Sequence, residues 1–109
     1  MDAFTAIAEP SRRLLLKALL DGPQAVNALV GRTGMSQPVV SKHLRILREA
    51  ALVTVQPDGQ RRLYRLATQP LAEIDDWLSD YRRFFSARFD ALERHLAETA
   101  ANTEMEKDG

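Results

Sequence analysis

Basic side chains are concentrated in the middle of this 109-residue chain, and the chemistry they offer is the binding of a polyanion. Residues 36–66 contain six basic and two acidic residues, although the whole chain has a net charge of zero. A basic segment in a neutral protein is typical of a surface that binds a polyanion while the rest stays solvated. The six basic residues are Lys42, Arg45, Arg48, Arg61, Arg62 and Arg65. Because such an excess of basic residues also arises by chance, its interpretation depends on the secondary-structure elements that carry these residues.

Residues suited to catalysis or metal binding are few. The chain has no cysteine, which excludes disulfides, thiolate metal sites and cysteine nucleophiles. Its two histidines have no cluster of carboxylates beside them in the sequence, and there is no glycine-rich phosphate loop. We therefore expect neither an enzyme nor a bound cofactor. The apolar stretch at residues 14–20 is short and contains a lysine, so we expect no membrane segment and a cytoplasmic location.

A helix predicted over residues 36–50 carries half of the basic groups. Ser36 is a capping residue, a proline follows in the first turn, and no breaker occurs before Ala50. At about 100° per residue the aliphatic side chains fall on one arc of this helix, and the polar side chains fall on the opposite arc. The buried arc contains Val40, Leu44, Leu47 and Ala51, and the outward arc contains Pro38, Ser41, Lys42, Arg45 and Glu49. This helix should bury aliphatic groups and present basic and hydroxyl groups to solvent.

A β-hairpin predicted over residues 52–66 carries the other arginines. Residues 52–56 are rich in β-branched side chains, residues 57–60 are turn formers, and residues 61–66 alternate. Before the basic helix, a helix over about 24–31 is followed by a four-residue turn that contains Gly34. Two helices joined by such a turn, followed by a hairpin, predict a mainly α fold with a small β-hairpin, the winged helix-turn-helix.

In this fold the second helix of the pair enters the major groove of double-stranded DNA. Gln can pair with adenine and Lys can reach guanine acceptors, whereas arginines of the hairpin contact phosphates, which position the protein without reading the sequence. The residues assigned to bases are Gln37, Ser41 and Lys42. The residues assigned to phosphates are Arg45, Arg61, Arg62 and Arg65.

Ser36 and His43 complete the predicted DNA-binding set. Ser36 caps the helix, and His43 lies at the edge of the buried arc, where it either packs beneath the helix or contacts a phosphate. Two alternatives to DNA binding are open. In the first, the charged side chains of the helix face water and bind nothing. In the second, the domain is a winged-helix module for protein interaction, and the outward face of its helix would then be apolar or acidic.

Apolar residues recur at intervals of three and four from Leu71 to Leu96, which predicts a long C-terminal helix over about residues 70–99. So much aromatic surface on one helix of a small domain is typical of an obligate dimer, so we expect a homodimer through residues 2–9 and 70–100. The residues assigned to the interface are Phe4, Trp77, Tyr81, Phe84, Phe85, Phe89 and Leu92. A small-ligand pocket lined by the aromatics is the alternative. We expect one domain over residues 1–100 and a polar tail over 101–109.

Three segments together carry a resemblance to a known family. They are residues 8–13 (AEPSRR), residues 36–53 (SQPVVSKHLRILREAALV) and residues 59–66 (GQRRLYRL). In this order they resemble the opening motif, the recognition helix and the wing of the ArsR/SmtB family of bacterial winged-helix repressors, and the resemblance covers about residues 3–98. It implies a homodimeric repressor or autorepressor whose first and last helices form the dimer interface. Because a two-fold dimer reads two half-sites, we expect a palindromic operator, and the protein should associate with the nucleoid when bound.

The sequence departs from the family pattern at its sensor sites. Members that sense metals through cysteines carry them where this chain has residues 26–30, which contain none. Zinc-sensing members use two pairs of ligands in the last helix. His95 and Glu98 match one pair, but Arg82 and Phe84 stand at the other and cannot bind zinc. We expect no metal site, and a metal-responsive repressor that uses His95 and Glu98 is kept as an alternative.

A second departure lies at the end of the recognition helix. The usual glycine of the family is Ala51 here. Glycine adopts the left-handed conformation that closes many helices without a steric penalty, and alanine does not. We therefore expect this helix to end without a left-handed glycine cap.

Overall fold

The computed structural model describes the backbone of residues 1–108 and the side chains of residues 1–101. The elements in chain order are α1 (Ala3–Ile7), α2 (Pro10–Ala18), α3 (Val26–Thr33), α4 (Gln37–Glu49), β1 (Val53–Asp58), β2 (Arg61–Leu66) and α5 (Thr68–Asp108). The chain forms two compact units, Met1–Ile74 and a second that begins at Asp75. None of the helices in the described residues is both long and apolar enough to cross a membrane. The predicted tail over 101–109 falls almost wholly on positions whose side chains lie outside the described residues.

The junction between α1 and α2 is fixed by charged side chains bonded to backbone. The Glu9 carboxylate accepts hydrogen bonds from the amides of Ser11 (3.0 Å) and Arg12 (3.3 Å), which caps the start of α2. Arg12 Nε donates to the carbonyl of Ala6 at 2.6 Å, and Arg13 donates to the carbonyls of Ile7 and Ala8. The last carbonyls of a helix otherwise lack intrahelical partners, so the two arginines stabilise the C-terminal end of α1. Together these bonds show that the segment AEPSRR fixes the junction between α1 and α2.

The core of the first unit lies between α2, α3, α4 and β1. The side chains of Leu15, Leu29, Val40, Leu44, Leu47 and Leu52 are fully buried there. Each such side chain contributes about 1.5–3 kcal/mol relative to an exposed one. The inner arc of α4 therefore holds this helix firmly against the domain, and its opposite arc is left facing outward.

The first strand of the hairpin extends to Asp58, two residues further than the sequence predicted, and the hairpin is joined to the domain by a third segment. β1 and β2 pair antiparallel from Val53↔Leu66 to Asp58↔Arg61, which leaves a two-residue turn. Gly59 takes the first position of that turn with φ 62°, a conformation that glycine adopts without penalty. Tyr64 exchanges two backbone hydrogen bonds with Gln24, at 2.8 and 2.9 Å. Because Gln24 is used in this bridge, α3 begins only at Val26, later than the predicted residue 24.

The end of α4 is closed by a left-handed residue that is not glycine. Ala51 has φ 59°, its amide bonds to the carbonyl of Arg48, and the amide of Leu52 bonds to the carbonyl of Leu47. These two bonds define a Schellman motif, and the buried side chains of Leu47 and Leu52 supply the apolar contact that accompanies it. The helix thus has the left-handed ending that its sequence did not lead us to expect, with alanine in place of the usual glycine.

The second unit is helical, and many of its large apolar side chains are exposed. The rings of Trp77 and Tyr81 are tilted by 42° with centroids 5.0 Å apart, and Phe84 and Phe85 meet edge to face at 5.7 Å. The guanidinium of Arg88 lies 4.5 Å from the centre of the Phe84 ring. Two ion pairs, Arg82–Asp75 and Arg83–Asp80, lie on the surface of the same unit.

Candidate nucleic-acid interface

The outward face of α4 is polar and basic, as the helical periodicity predicts. Val40, Leu44 and Leu47 on its inner face have no exposed surface, while Lys42 and Arg45 are exposed. The difference between the two faces arises because the aliphatic residues recur every three or four positions. α4 therefore presents its cations on an element whose own position is fixed by the core.

The first turn of α4 is ordered by two side-chain hydrogen bonds. Ser36 Oγ accepts from the amide of Val39 at 3.4 Å, which is the capping bond predicted for Ser36. Gln37 Nε2 donates to Ser41 Oγ at 3.0 Å. The second N–H and the Oε1 atom of Gln37 remain for a further partner, which is the donor and acceptor pair that matches adenine in the major groove.

The structure brings part of the predicted set into one concave surface. Gln37 at the start of α4 and the hairpin residues Arg61 and Arg62 line the same groove, with Tyr64 and residues 25–28 at the start of α3. Arg61 is also paired with Asp58 across the hairpin turn at 2.9 Å. This exposed pair contributes little stability, so Arg61 can exchange Asp58 for a phosphate at small cost.

Arg65 is not part of this groove. It is exposed on β2 and lines a separate surface depression with Leu20, Pro23 and Leu66. Arg61 and Arg62 directly follow the hairpin turn, whereas Arg65 pairs with Thr54 near the open end of the hairpin. The structure therefore separates two of the arginines that the sequence assigned to one role.

Arg48 is a basic residue that the sequence-based assignment left out. Its side chain is exposed and lines a depression with Arg62, Val55 and Pro57, which joins the last turns of α4 to the hairpin. Arg48 lies two turns along α4 from Ser41, and at about 100° per residue the two residues fall close together on the outward arc. That angular position is the signal in the sequence that could have identified it.

His43 lies on the side of α4 that faces the domain. Its side chain is 12% exposed, and Nε2 lies 3.8 Å from Oε2 of Glu9. Nδ1 is buried, and no hydrogen-bond partner for it occurs among the described residues. The sequence allowed His43 either to pack beneath the helix or to contact a phosphate, and this geometry favours packing beneath the helix.

The residues assigned to a dimer interface are exposed in the single chain. In the first unit, Phe4 on α1 is 43% exposed. In the second unit, the exposed fractions range from 48% to 62% for Trp77, Tyr81, Phe84, Phe85, Phe89 and Leu92. Each aromatic side chain buries roughly 200 Å² of surface when it is fully covered. At their exposed fractions, the five aromatic side chains of this unit together expose on the order of 500 Å² to water.

The described residues contain no group of three or more His, Cys, Asp or Glu side chains that could hold a metal ion. His95 and Glu98 are both exposed on α5. Zinc requires about four ligands, and two exposed side chains supply at most half of them.

The fold and its basic outward face define a class of proteins, the winged helix-turn-helix transcription regulators. Residues 9–55 match the family model described as "Bacterial regulatory protein, arsR family". The chain is 38% identical over 84 residues to the HTH-type transcriptional regulator Rv2034 of Mycobacterium tuberculosis, which covers 77% of this chain and 76% of that protein. It is 41% identical over 73 residues to the HTH-type transcriptional repressor SmtB of the same species. That aligned region covers 67% of this chain and 54% of SmtB.

A solved structure agrees with the fold. The homodimeric winged helix-turn-helix DNA-binding domain of Mb0332 from Mycobacterium bovis superposes with a TM-score of 0.61 at 29% identity, over 72% of this chain and 73% of that one. The chain belongs to the arsR family of bacterial regulatory proteins. The predicted fold class is confirmed, and the protein is a transcription regulator, not an enzyme.

Proposed function

We propose that this regulator is a homodimeric repressor that binds a palindromic DNA operator, with α4 in the major groove and the hairpin against the adjacent backbone. The observation that carries the proposal is the two-faced burial of α4. Its inner aliphatic side chains are completely buried, and its outward arc exposes cations beside a groove shared with the hairpin arginines. A helix held in this way can enter the major groove without loss of its own packing.

The proposed roles divide between base reading and phosphate binding. Gln37, Ser41 and Lys42 read bases, with the Gln37 amide directed at an adenine. Arg45 and the hairpin residues Arg61 and Arg62 bind phosphates, and Arg48 joins them because it shares a depression with Arg62. Arg65 contacts the backbone at a site apart from the groove.

The proposed dimer follows from the exposed apolar side chains of α5. About 500 Å² of aromatic surface is a large part of the roughly 800 Å² that each partner buries in a stable interface. The homodimeric Mb0332 domain gives a precedent with the same fold. A two-fold dimer presents two copies of α4, which would read two half-sites roughly 34–36 Å apart, so the operator would be a palindrome.

The direction of regulation is proposed from the relatives and from the position of the site. SmtB of Mycobacterium tuberculosis is named a repressor. Within the residues described, the surfaces proposed here serve DNA binding and self-association. A protein of this kind can repress by occupying a promoter. It would then be found on the nucleoid. The alternative of a protein-interaction module would require an apolar or acidic outward face on α4, and Lys42 and Arg45 are exposed there instead.

The test is selection of bound fragments from random duplex DNA by the purified protein. We expect an enriched inverted repeat whose half-sites are about one helical turn apart. The Gln37→Ala variant should lose the preference for adenine at one position of each half-site, and Arg45→Ala should retain the same consensus at lower affinity. A wild-type protein that enriches no sequence would refute the operator, and an enriched single half-site would refute the dimeric arrangement.

A further inference from the structure

One carboxylate lies at the meeting point of three helices. Glu9 accepts the two amide hydrogen bonds that cap α2, and its Oε2 atom also lies 3.8 Å from His43 Nε2 on α4. A separation of 3.8 Å is too long for a hydrogen bond, and the two groups form an ion pair when the imidazole is protonated. Glu9 therefore links the start of α2 to the DNA-facing helix.

The charge on Glu9 is stable at neutral pH. Partial burial raises the pKa of this carboxyl, but hydrogen bonds from the Ser11 and Arg12 amides and the nearby charges of His43 and Arg12 outweigh burial and leave the pKa below its ordinary value. The carboxylate thus remains an anion under the conditions in which the protein binds DNA.

The imidazole of His43 has no other polar contact among the residues described. Nδ1 is buried without a hydrogen-bond partner, and the side chain is 12% exposed. A buried nitrogen without a hydrogen-bond partner lowers the stability of the fold, and an interaction at the other ring nitrogen does not remove that cost. Nε2 toward Glu9 is the interaction that the structure supplies.

The same junction also holds α1. Arg12 is 8% exposed and donates to the carbonyl of Ala6, while Arg13 donates to the carbonyls of Ile7 and Ala8 at the end of α1. The Arg12 guanidinium is one of the charges that act on Glu9. A continuous set of polar contacts therefore runs from α1 through Arg12 and Glu9 to His43.

We propose that His43 is a positioning residue for DNA recognition, which sets α4 against the α1–α2 junction through Glu9 and does not itself contact DNA. This inference rests on the proposed function, because its readout is operator binding. A shift of α4 by a fraction of an ångström would move the base-reading side chains out of register with the groove. In this role His43 determines how accurately α4 is placed in the groove of the DNA.

The experiment compares three variants with wild type on the selected operator: Glu9→Asp, His43→Gln and the double variant. Asp is a favoured capping residue, so Glu9→Asp keeps the cap of α2 and its charge but withdraws the carboxylate from His43. We expect each single variant to lose affinity by roughly threefold to tenfold. The double variant should lose no more than either single one, because both remove the same link.

The salt dependence of binding distinguishes this role from a phosphate contact. If His43 binds a phosphate, His43→Gln should lower the slope of log affinity against log salt by about 0.9 for each phosphate that is no longer neutralised, as Arg45→Ala is expected to do. If His43 positions α4, the slope should stay at the wild-type value while affinity falls. Arg45→Ala is therefore the matched control.

Val30→Ala controls for a purely structural effect, because this partly buried side chain packs against the core from α3. It should lower the melting temperature without changing affinity at a temperature where all variants are folded. Additive losses in the double variant, a reduced slope for His43→Gln, or unchanged affinities with reduced stability would each overturn the inference. If wild type selects no DNA, the proposed function itself fails, a result separate from these three.

Discussion

Replacing Ala51 by glycine should stabilise the protein, although the side chain it removes is small and exposed. Ala51 has φ 59°, and the left-handed conformation costs an L-residue with a Cβ about 1–2 kcal/mol. Glycine removes this cost but gains freedom in the unfolded chain, which offsets about 0.4–1 kcal/mol. The free energy of unfolding should therefore rise by about 0.5–1 kcal/mol in Ala51→Gly. For a domain of this size, the melting temperature should rise by about 3–6 °C.

Two matched variants have the opposite expectation. Ala50 precedes Ala51 with φ −81° and is 8% exposed, so Ala50→Gly should destabilise the domain by about 0.5–1 kcal/mol or more. Gly34 ends α3 with φ 74° and has open space where a Cβ would lie, so Gly34→Ala should cost about 1 kcal/mol through backbone strain alone.

The assay is chemical denaturation followed by circular dichroism, with all variants at one protein concentration because dimerisation contributes to stability. If Ala51→Gly destabilises the protein as much as Ala50→Gly does, residue 51 is not left-handed and the Schellman ending of α4 is wrong. If Ala51→Gly is neutral while Gly34→Ala is costly, the reasoning from backbone strain at Ala51 is refuted.

Further predictions concern the interface, acid stability, dimerisation and metals. Arg62→Ala should weaken binding to all sequences alike and lower the salt slope by about 0.9 for each phosphate that is no longer neutralised, whereas Lys42→Ala should change the selected consensus. The pKa of Glu9 lies below its ordinary value of 4.5, so its contribution to stability is complete above about pH 4.5 and is lost as pH falls through the folded-state pKa. Glu9→Gln should therefore be less stable than wild type at pH 7, with a difference that vanishes in an acid denaturation series. Phe89→Ala should shift sedimentation toward monomer and lower operator affinity, and a monomeric wild type with tight palindrome binding would contradict this link. Zinc at micromolar concentration should leave DNA binding unchanged in wild type and in His95→Ala, as measured by fluorescence anisotropy.

The parts of the fold that depend on local patterns were predictable from the sequence. The capping residue Ser36, the proline after it and the aliphatic period together located α4 to within one residue at each end. The hairpin was found because β-branched and alternating segments flank a turn that contains Gly59. These signals lie within a few residues of the structure they specify, so no tertiary information was needed.

The features that were missed depend on partners distant in the chain or on the packing around them. The backbone bridge of Gln24 exists only because Tyr64 is brought beside it, and no local pattern marks Gln24 as a strand residue. The left-handed conformation was not expected at Ala51 because its side chain disfavours it, but the buried pair Leu47 and Leu52 holds the chain in that ending. The role proposed for Arg48 required the position of the hairpin relative to α4.

The separation of charge along the chain agrees with the division of tasks proposed for its elements. Residues 36–66 have an excess of basic groups, and residues 67–109 contain ten acidic and five basic residues. A uniformly basic protein of this size would bind any stretch of DNA with any of its surfaces, because nonspecific affinity comes from counterion release. Acidic groups on the helix assigned to self-association repel the DNA backbone from that helix, so encounters through α4 and the hairpin are favoured. Neutral net charge is therefore compatible with DNA binding when the basic residues are collected on the elements proposed to read the groove.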